Sequence, residues 1–258
     1  MITALAVKLE PRPAASAVAL FSLPSFTAAL DASDLGLRTG VLRAAEVMSR
    51  RFLALNAEAQ GFGDAAVDPT QPLLLLLALG GTEAAPLRDA LETIYVTLAE
   101  RYPEAGGVIA ESERQARDLW RLREDTHTVY RAYPAAPSYD VSVPISELEA
   151  YVSTVESDAA ALGFAPLLFG HLADGNLHII FNHSGPFEAG VAAKVEDVLY
   201  RDLRALGGSF SAEHGVGSKR IGSLEATADP GKLALMATVK RALDPKGLMN
   251  PGKLFVLP

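Results

Sequence analysis

The sequence predicts an α+β fold with a largely antiparallel sheet. Short apolar runs typical of strands are mixed with longer amphipathic stretches typical of helices, without the strict alternation that a parallel sheet requires. The chain has 258 residues, and 49% of them are hydrophobic, so a large core can form. No repeat or low-complexity linker divides the sequence. We therefore expect a single domain over residues 1–258.

Two strands and two helices are predicted in the first half of the chain. Residues 18–23 form an apolar strand, and Ser25 is the expected N-cap of a helix directly after it. A second apolar run, residues 73–79, ends at a pair of glycines. Residues 83–101 then have helical spacing, with one apolar face made of Leu87, Leu91, Ile94 and Leu98.

The second half contains a predicted hairpin whose arms, residues 165–172 and 176–182, are joined by an Asp-Gly turn. A strand over residues 138–144 precedes it, with Ser146 as the expected cap of the next helix. The remaining predicted elements are helices over residues 111–133, 147–162, 188–206 and 233–243, and a strand over residues 207–217 that enters a glycine loop.

Charge and composition exclude several classes of protein. The net charge of −8, with no long run of lysine or arginine, argues against a nucleic-acid partner, because phosphate binding needs a basic surface. The absence of cysteine excludes disulfides and thiolate metal sites. The longest apolar run is much shorter than the ~20 residues of a membrane-spanning helix, and the N-terminus lacks the features of a signal peptide. A soluble protein of the cytoplasm is expected.

The predicted hairpin places two of the five histidines within one short segment, GHLADGNLH. If Asp174 and Gly175 are the two central residues of a tight turn, His171 lies directly opposite His178. Opposed residues on one face have their Cβ atoms ~4.5–5.5 Å apart, so two imidazoles there could share a metal ion. Two surface histidines on a polar hairpin explain the same pattern equally well.

A second polar segment, SAEHGVG, contains Glu213 and His214 immediately before a glycine loop. Two histidines and a glutamate form a nitrogen–oxygen ligand set suited to zinc, manganese, cobalt or iron, with a coordination position left open for a substrate. Neighbouring strand residues point to opposite faces, so Glu213 and His214 can serve one site only if the backbone bends there. The glycines that follow permit such a bend. An ordinary turn containing a Glu-His pair is the alternative.

The charged segment LWRLRED places Trp120 and Arg123 three residues apart, on one face of its predicted helix. An arginine supported there by an aromatic ring can bind a carboxylate in bidentate geometry, which lysine cannot. A solvent-exposed helix face commonly carries several arginines as well. The segment alone leaves both interpretations open.

These three segments, together with the tail DPKGLMNPGK, resemble the C-terminal domain of FAD-linked oxidases. The family includes the glycolate oxidase flavin subunit, D-lactate dehydrogenases and D-2-hydroxyglutarate dehydrogenase, and the four segments follow its order over most of the chain. The resemblance implies a fold of two fused ferredoxin-like units that form one antiparallel sheet beside helices. It also implies a flavin-dependent D-2-hydroxyacid dehydrogenase, in which a hydride passes from the α-carbon to FAD.

The resemblance assigns a role to each motif. It implies that His171, His178 and Glu213 bind a divalent metal, zinc or manganese. His214 would be the base that removes the substrate hydroxyl proton, and Arg123 would anchor the substrate carboxylate.

The same resemblance implies supporting roles for three further residues. Asn176 would be a polar support of the metal-binding hairpin, and Asn250 and Lys253 would face the flavin.

Two departures from the hydroxyglutarate branch of the family bear on the substrate. Ser138 stands where that branch has a lysine, and Ile180 stands where it has an asparagine. Asn182, two residues further along the same strand face, is the expected substitute in substrate binding. A second carboxylate therefore lacks its usual partners, which favours a glycolate- or lactate-like acid over a dicarboxylate.

The FAD-binding domain that precedes this domain in the family has no counterpart in the sequence. Residues 1–12 resemble the strand with which that domain ends. We therefore expect the chain to fold alone, to retain no FAD, and to need an FAD-binding domain or subunit as its partner. Its exposed flavin-facing wall, near His214 and Asn250, is expected to drive self-association, for example as a homodimer. A stand-alone metal-binding domain without redox activity and a zinc hydrolase are the alternatives.

Overall fold

One seven-stranded antiparallel sheet forms the centre of the structure, a computed structural model that describes residues 3–62, 70–185 and 187–254. In chain order the strands are β1 Ala15–Leu23, β2 Leu42–Ser49, β3 Leu73–Gly81, β4 Gly106–Ile109, β5 Ser138–Ser142, β6 Leu167–His171 and β7 Asn176–Ile180. Across the sheet their order is β4-β1-β3-β2-β6-β7-β5, and each neighbouring pair is antiparallel. The predicted α+β class with an antiparallel sheet is confirmed.

Helices connect these strands and lie on both faces of the sheet. In chain order they are α1 Phe26–Arg38, α2 Arg50–Gln60, α3 Ala84–Arg101, α4 Glu113–Glu124, α5 Thr126–Ala132, α6 Leu148–Ala161, α7 Ala189–Tyr200, α8 Leu203–Leu206, α9 Ile221–Thr227 and α10 Pro230–Leu243. Short 3-10 turns occupy Ile145–Glu147 and Leu172–Asp174. Within the described ranges, no helix combines the length and the apolar character that a bilayer crossing requires.

The strands form two ferredoxin-like units, as the family resemblance implies. The first runs β1-α1-β2-β3-α3-β4 with the strand order β4-β1-β3-β2, and α2 is an addition between β2 and β3. The second runs β5-α6-β6-β7-α7, and residues 209–211 take the place of its fourth strand. In the described structure that segment is joined to β5 by two isolated bridges, at Ser209 and Ser211.

The two units are joined edge to edge by β2 and β6. Three residue pairs make the join: Glu46 with His171, Val47 with Gly170, and Met48 with Phe169. Directly paired residues share a sheet face, so the join places side chains from both halves of the chain next to each other.

The longest apolar run of the sequence is β3, a strand that is buried on both faces. Leu75 and Leu77 pack into one core, whereas Leu74 and Leu76 pack into the other. Residues of α1, α3, α6 and α7 complete the first core, and residues of α2, α4 and α5 complete the second. A strand covered on both faces has no polar side, which is why this run shows no alternation.

Side-chain hydrogen bonds cap some of the helices, and two predicted helix boundaries differ from the observed ones. The charged segment 111–133 forms two helices because Asp125 accepts a hydrogen bond from the Thr128 amide and so caps a second helix, α5. Ser146 does not cap α6, since it lies inside a 3-10 turn and its hydroxyl bonds to the Glu147 carboxylate. The Ser25 cap of α1 is confirmed, with its Oγ accepting from an amide at 3.1 Å.

Other elements differ from the prediction where the apolar pattern is weak. The helix expected over residues 188–206 is interrupted after Tyr200, and the strand expected over residues 207–217 is reduced to the two bridges. Four elements of the described structure were not predicted, namely β2, α2, β4 and α9. A buried glutamate, Glu46, interrupts the apolar pattern of β2, and two of the four residues of β4 are glycines.

Gly170 of β6 has no room for a side chain. A Cβ atom there would overlap the main-chain oxygen of Asn176 and lie 2.9 Å from the Cα of Leu177. We expect Gly170→Ala to lower the free energy of unfolding by roughly 1–3 kcal/mol, because a paired strand backbone must move. Gly190→Ala in α7 is the matched control, since a Cβ there meets no atom within 4 Å. Equal urea midpoints for the two variants would contradict this expectation.

Candidate functional site

His171, His178 and Glu213 converge at one end of the sheet. One side-chain ligand atom from each lies within 4.8 Å of the other two. The Glu213 carboxylate approaches both rings, with Oε1 3.4 Å from His171 Nε2 and Oε2 3.8 Å from His178 Nε2. Two imidazole nitrogens and a carboxylate at this spacing fit a divalent metal such as zinc or manganese.

The hairpin that carries the two histidines has a different register from the predicted one. His171 pairs with Asn176, and His178 pairs with Phe169, so the two histidines are not directly opposed. The turn is longer than two residues because a 3-10 turn and Gly175, with φ of 69°, connect the strands. The histidines are nevertheless diagonal neighbours on one face, with ring centroids 6.0 Å apart.

Asp140 bends the backbone that carries Glu213 and His214. It is fully buried on β5, and its Oδ2 accepts the main-chain N–H groups of Glu213 at 2.8 Å and of His214 at 3.0 Å. Because both amides point at one oxygen, the chain leaves the extended conformation here. Gly215 and Gly217 then adopt left-handed φ angles of 66° and 58°. The bend that the sequence requires is present.

The environment sets the charge of two buried groups in this cluster. Burial by itself raises the pKa of Asp140, but the amides of His214 and Glu213 and the neighbouring histidines outweigh it and hold that pKa below its ordinary value. Burial lowers the pKa of His178, although the Asp140 and Glu213 carboxylates act in the opposite direction. Asp140 is therefore ionised and His178 neutral near pH 7, and neutral imidazole is the form that binds metals.

His214 lies beside the cluster of His171, His178 and Glu213 and is the most accessible histidine of the group. Its ring stacks on His178 with centroids 5.7 Å apart, and its Nδ1 lies 3.7 Å from Oδ2 of Asp140. About half of its side chain, 53%, is exposed. A ring held on one side by a carboxylate and open on the other can exchange a proton with a bound molecule.

Arg123 is buried, unlike the other arginines of α4. Its Nη2 lies 2.7 Å from Oε2 of Glu46, and 9% of its side chain is exposed. The guanidinium lies 5.0 Å above the ring of Phe169, so Phe169 rather than the predicted Trp120 supports it. Exposed ion pairs with acidic side chains hold the remaining arginines of the helix, Arg114, Arg117 and Arg121. The solvated-face interpretation is therefore wrong for Arg123.

Glu46 is a member of the cluster that the sequence did not reveal. This buried residue of β2 contacts two of the predicted site residues, with Oε1 2.9 Å from His171 Nδ1 and Oε2 2.7 Å from Arg123 Nη2. Its signal in the sequence is a lone acidic residue between apolar neighbours, in the segment AAEVM. A buried carboxylate needs charged or hydrogen-bonding partners, but the sequence alone does not name them.

Buried polar atoms without hydrogen bonds are concentrated in this region. Of eight such side-chain atoms in the described part of the chain, five belong to Glu46, Arg123, Asp140 and Asn176. The Oε2 atom of Glu46 is held by the ion pair with Arg123, whereas Arg123 Nε and both amide atoms of Asn176 have no hydrogen-bond partner. Folded proteins rarely leave such groups unpaired, so their clustering fits a site that binds a polar ligand or an ion.

Two predicted asparagines occupy different parts of the hairpin. Asn176 pairs with His171 in the sheet, and its main-chain N–H donates to Asp174 Oδ1 at 3.2 Å. Asn182 lies beyond the other end of β7, where its Oδ1 accepts the Ala165 N–H at 2.6 Å. Its contact with substrate stays a prediction.

The residues predicted to face the flavin lie in the tail after α10. Asn250 is exposed and has a positive φ of 47°, and Lys253 is also exposed. No residue of α10 is buried. Large apolar side chains are exposed on this helix and tail: Leu235, Val239, Leu243, Leu248, Met249 and Leu254. Flavin contacts here stay a prediction.

Known proteins are similar in sequence to two thirds or more of this chain. The family described as FAD linked oxidases, C-terminal domain, matches residues 12–254. D-2-hydroxyglutarate dehydrogenase of Stutzerimonas stutzeri is 29% identical over 263 residues, covering 96% of this chain and 54% of that protein. The Xanthomonas citri pv. viticola enzyme of the same name is 37% identical over 184 residues, covering 67% and 39%. The mitochondrial D-lactate dehydrogenase (cytochrome) of Arabidopsis thaliana is 26% identical over 263 residues, covering 99% and 45%. These matches therefore span 39% to 54% of each relative's length.

Solved structures share the fold at low sequence identity. A substrate complex of p-cresol methylhydroxylase superposes with a TM-score of 0.65 at 15% identity, covering 94% of this chain and 53% of that one. The isoeugenol complex of 4-ethylphenol oxidase from Gulosibacter chungangensis gives 0.63 at 16% identity, covering 97% and 55%. At such identities the likeness concerns the fold alone, but the sequence match over residues 12–254 goes further: this chain belongs to the FAD linked oxidases, as a C-terminal domain of that family.

Proposed function

We propose that this chain is the substrate- and metal-binding domain of a flavin-dependent D-2-hydroxyacid dehydrogenase. The observation that carries the proposal is the convergence of three metal-ligand side chains beside a buried arginine. A metal and an arginine side by side suit a molecule with a hydroxyl and a carboxylate on adjacent carbons. The names of the relatives, D-2-hydroxyglutarate and D-lactate dehydrogenases, support the same class of substrate.

Arg123 binds the substrate carboxylate in this proposal. Glu46 occupies its Nη2, while its buried Nε–H has no hydrogen-bond partner and is free to donate. A guanidinium offers donors along more than one edge, so it can keep the ion pair with Glu46 and still bind a carboxylate. Phe169 holds the guanidinium plane from below and so limits its rotation.

His214 removes the hydroxyl proton in this proposal. The bound metal, held by His171, His178 and Glu213, would supply positive charge that lowers the pKa of the hydroxyl, and FAD would accept the hydride. His214 Nδ1 faces ionised Asp140, which stabilises the imidazolium that forms when the proton arrives. The acid would leave as a 2-oxo acid, with its hydroxyl proton on His214 and its hydride on the flavin.

A short hydroxy acid suits the site better than a dicarboxylate. The position where the hydroxyglutarate branch carries an asparagine is Ile180, which is fully buried in the apolar core. Ser138, in place of a lysine, is its partner on the neighbouring strand. Neither side chain can neutralise a second carboxylate, so we propose glycolate or D-lactate rather than D-2-hydroxyglutarate as the preferred class.

A hybrid enzyme tests the proposal. The chain is fused to the FAD-binding domain of one of its dehydrogenase relatives, and the hybrid is expected to reduce a dye with D-lactate. In this hybrid, Arg123→Lys should lower kcat/KM by a factor that corresponds to ~1–3 kcal/mol of transition-state stabilisation, because bidentate binding is lost. Arg121→Lys on the exposed face of α4 is the matched control and should leave kcat/KM unchanged. A hybrid with bound flavin but no activity toward any 2-hydroxy acid would contradict the proposed function.

A further inference from the structure

We propose that Glu46 is a positioning residue that holds the metal half and the carboxylate half of the site in register. The inference rests on the proposed function and extends it to a residue of the other ferredoxin-like unit. One buried carboxylate contacts His171 through Oε1 at 2.9 Å and Arg123 through Oε2 at 2.7 Å. Among the hydrogen bonds and ion pairs of the described residues, no other side chain joins these two.

The first contact decides which nitrogen of His171 is available for a metal. A neutral imidazole has one N–H donor and one acceptor nitrogen. A carboxylate can only accept, so Oε1 of Glu46 places the proton on His171 Nδ1 and leaves the lone pair on Nε2. That Nε2 is the atom that faces Glu213, at 3.4 Å. Glu46 thus selects the tautomer that the shared site needs.

The second contact fixes the buried arginine. Long side chains lose considerable freedom when they are ordered, and an arginine without a partner would sample several rotamers. Oε2 of Glu46 and the ring of Phe169 hold the guanidinium from two directions. The Nε–H of Arg123 is thereby left buried and without a partner, ready for an acceptor.

An amide cannot replace this carboxylate. Nδ1–H of His171 is a donor and the Arg123 guanidinium is a cation, so one oxygen of Glu46 must accept a hydrogen bond and the other must carry negative charge. In Glu46→Gln, the side-chain NH₂ must face one of the two donors. If it faces His171, the imidazole is pushed toward the other tautomer, and its Nε2 lone pair is lost.

A metal titration of the purified chain tests the inference. We expect Glu46→Gln to weaken Mn²⁺ binding 10- to 100-fold, which is the usual effect of removing a carboxylate behind a histidine ligand. Glu113→Gln is the matched control, because Glu113 is 96% exposed and pairs with Arg117 on the surface. Equal Mn²⁺ affinities for Glu46→Gln and the control, with folding intact, would overturn the inference.

Nitrogen NMR of the metal-free wild-type chain provides a second readout that does not depend on any Glu46 variant. The His171 proton should reside on Nδ1 and give a protected, downfield N–H signal, assigned by its loss in His171→Gln. A proton found on Nε2 would overturn the role of Glu46. Failure of the wild type to bind Mn²⁺, with the proton still on Nδ1, would instead contradict the metal in the proposed function and leave the Glu46 contact supported.

Discussion

His178→Ala should weaken binding of Mn²⁺ or Zn²⁺ to the purified chain by about 100- to 1,000-fold. Four-ligand structural zinc sites bind with ~10–16 kcal/mol, so one ligand contributes roughly 2.5–4 kcal/mol. His178 belongs to the three residues whose ligand atoms lie within 4.8 Å of one another, and a single carboxylate and histidine cannot replace it. Isothermal titration at pH 7 measures the loss directly.

His183→Ala is the control for this variant, because His183 lies just beyond the same strand and packs against Phe164 and Phe187 instead of the ligands. Equal affinities for the two alanine variants would show that the cluster does not bind metal.

The pH dependence of metal affinity is a further check. Burial lowers the pKa of His178 from its ordinary 6.5, so protons compete for this ligand only in more acidic solution.

His214→Asn should reduce kcat of the hybrid enzyme by roughly 100- to 10,000-fold, the range expected for loss of a general base. The variant should bind Mn²⁺ as tightly as the wild type, because His214 is outside the group of three ligands. Its main-chain N–H still donates to Asp140, since that bond does not involve the side chain. Steady-state kinetics and metal titration on one preparation separate the two effects.

Loss of metal affinity in His214→Asn would mean that His214 is a ligand rather than a base. Unchanged kcat would remove it from the chemistry altogether. Either result would reassign a ring that is stacked on His178 and 53% exposed.

The sequence predicted the members of the site more accurately than their arrangement. Polar side chains in short, glycine-containing segments are recognisable in a sequence as candidate site residues. His171, His178 and Glu213 were predicted in this way, and they converge in the structure. Their pairing was wrong because a 3-10 turn lengthens the hairpin, and the sequence Ala-Asp-Gly suits both a two-residue and a longer turn. The diagonal arrangement brings the rings together in spite of this shift.

The role of Glu46 could not be predicted from the sequence, for a different reason. Its partner His171 is 125 positions away, and the contact arises only when β2 and β6 pair. Local patterns predict helices and strands within a unit but not which edges meet. The same limit applies to Phe169 beneath Arg123, since the nearer aromatic residue in sequence, Trp120, was the expected support.

The join between β2 and β6 makes the candidate site a product of both ferredoxin-like units, neither of which contains all of its residues. His171, His178 and Glu213 all follow β5, so the second unit alone supplies every predicted metal ligand. Glu46 lies in the first unit, and Arg123 follows that unit on α4. The proposed metal ligands therefore come from one unit, whereas the carboxylate that contacts His171 and the buried arginine come from the other unit and from the helix that follows it.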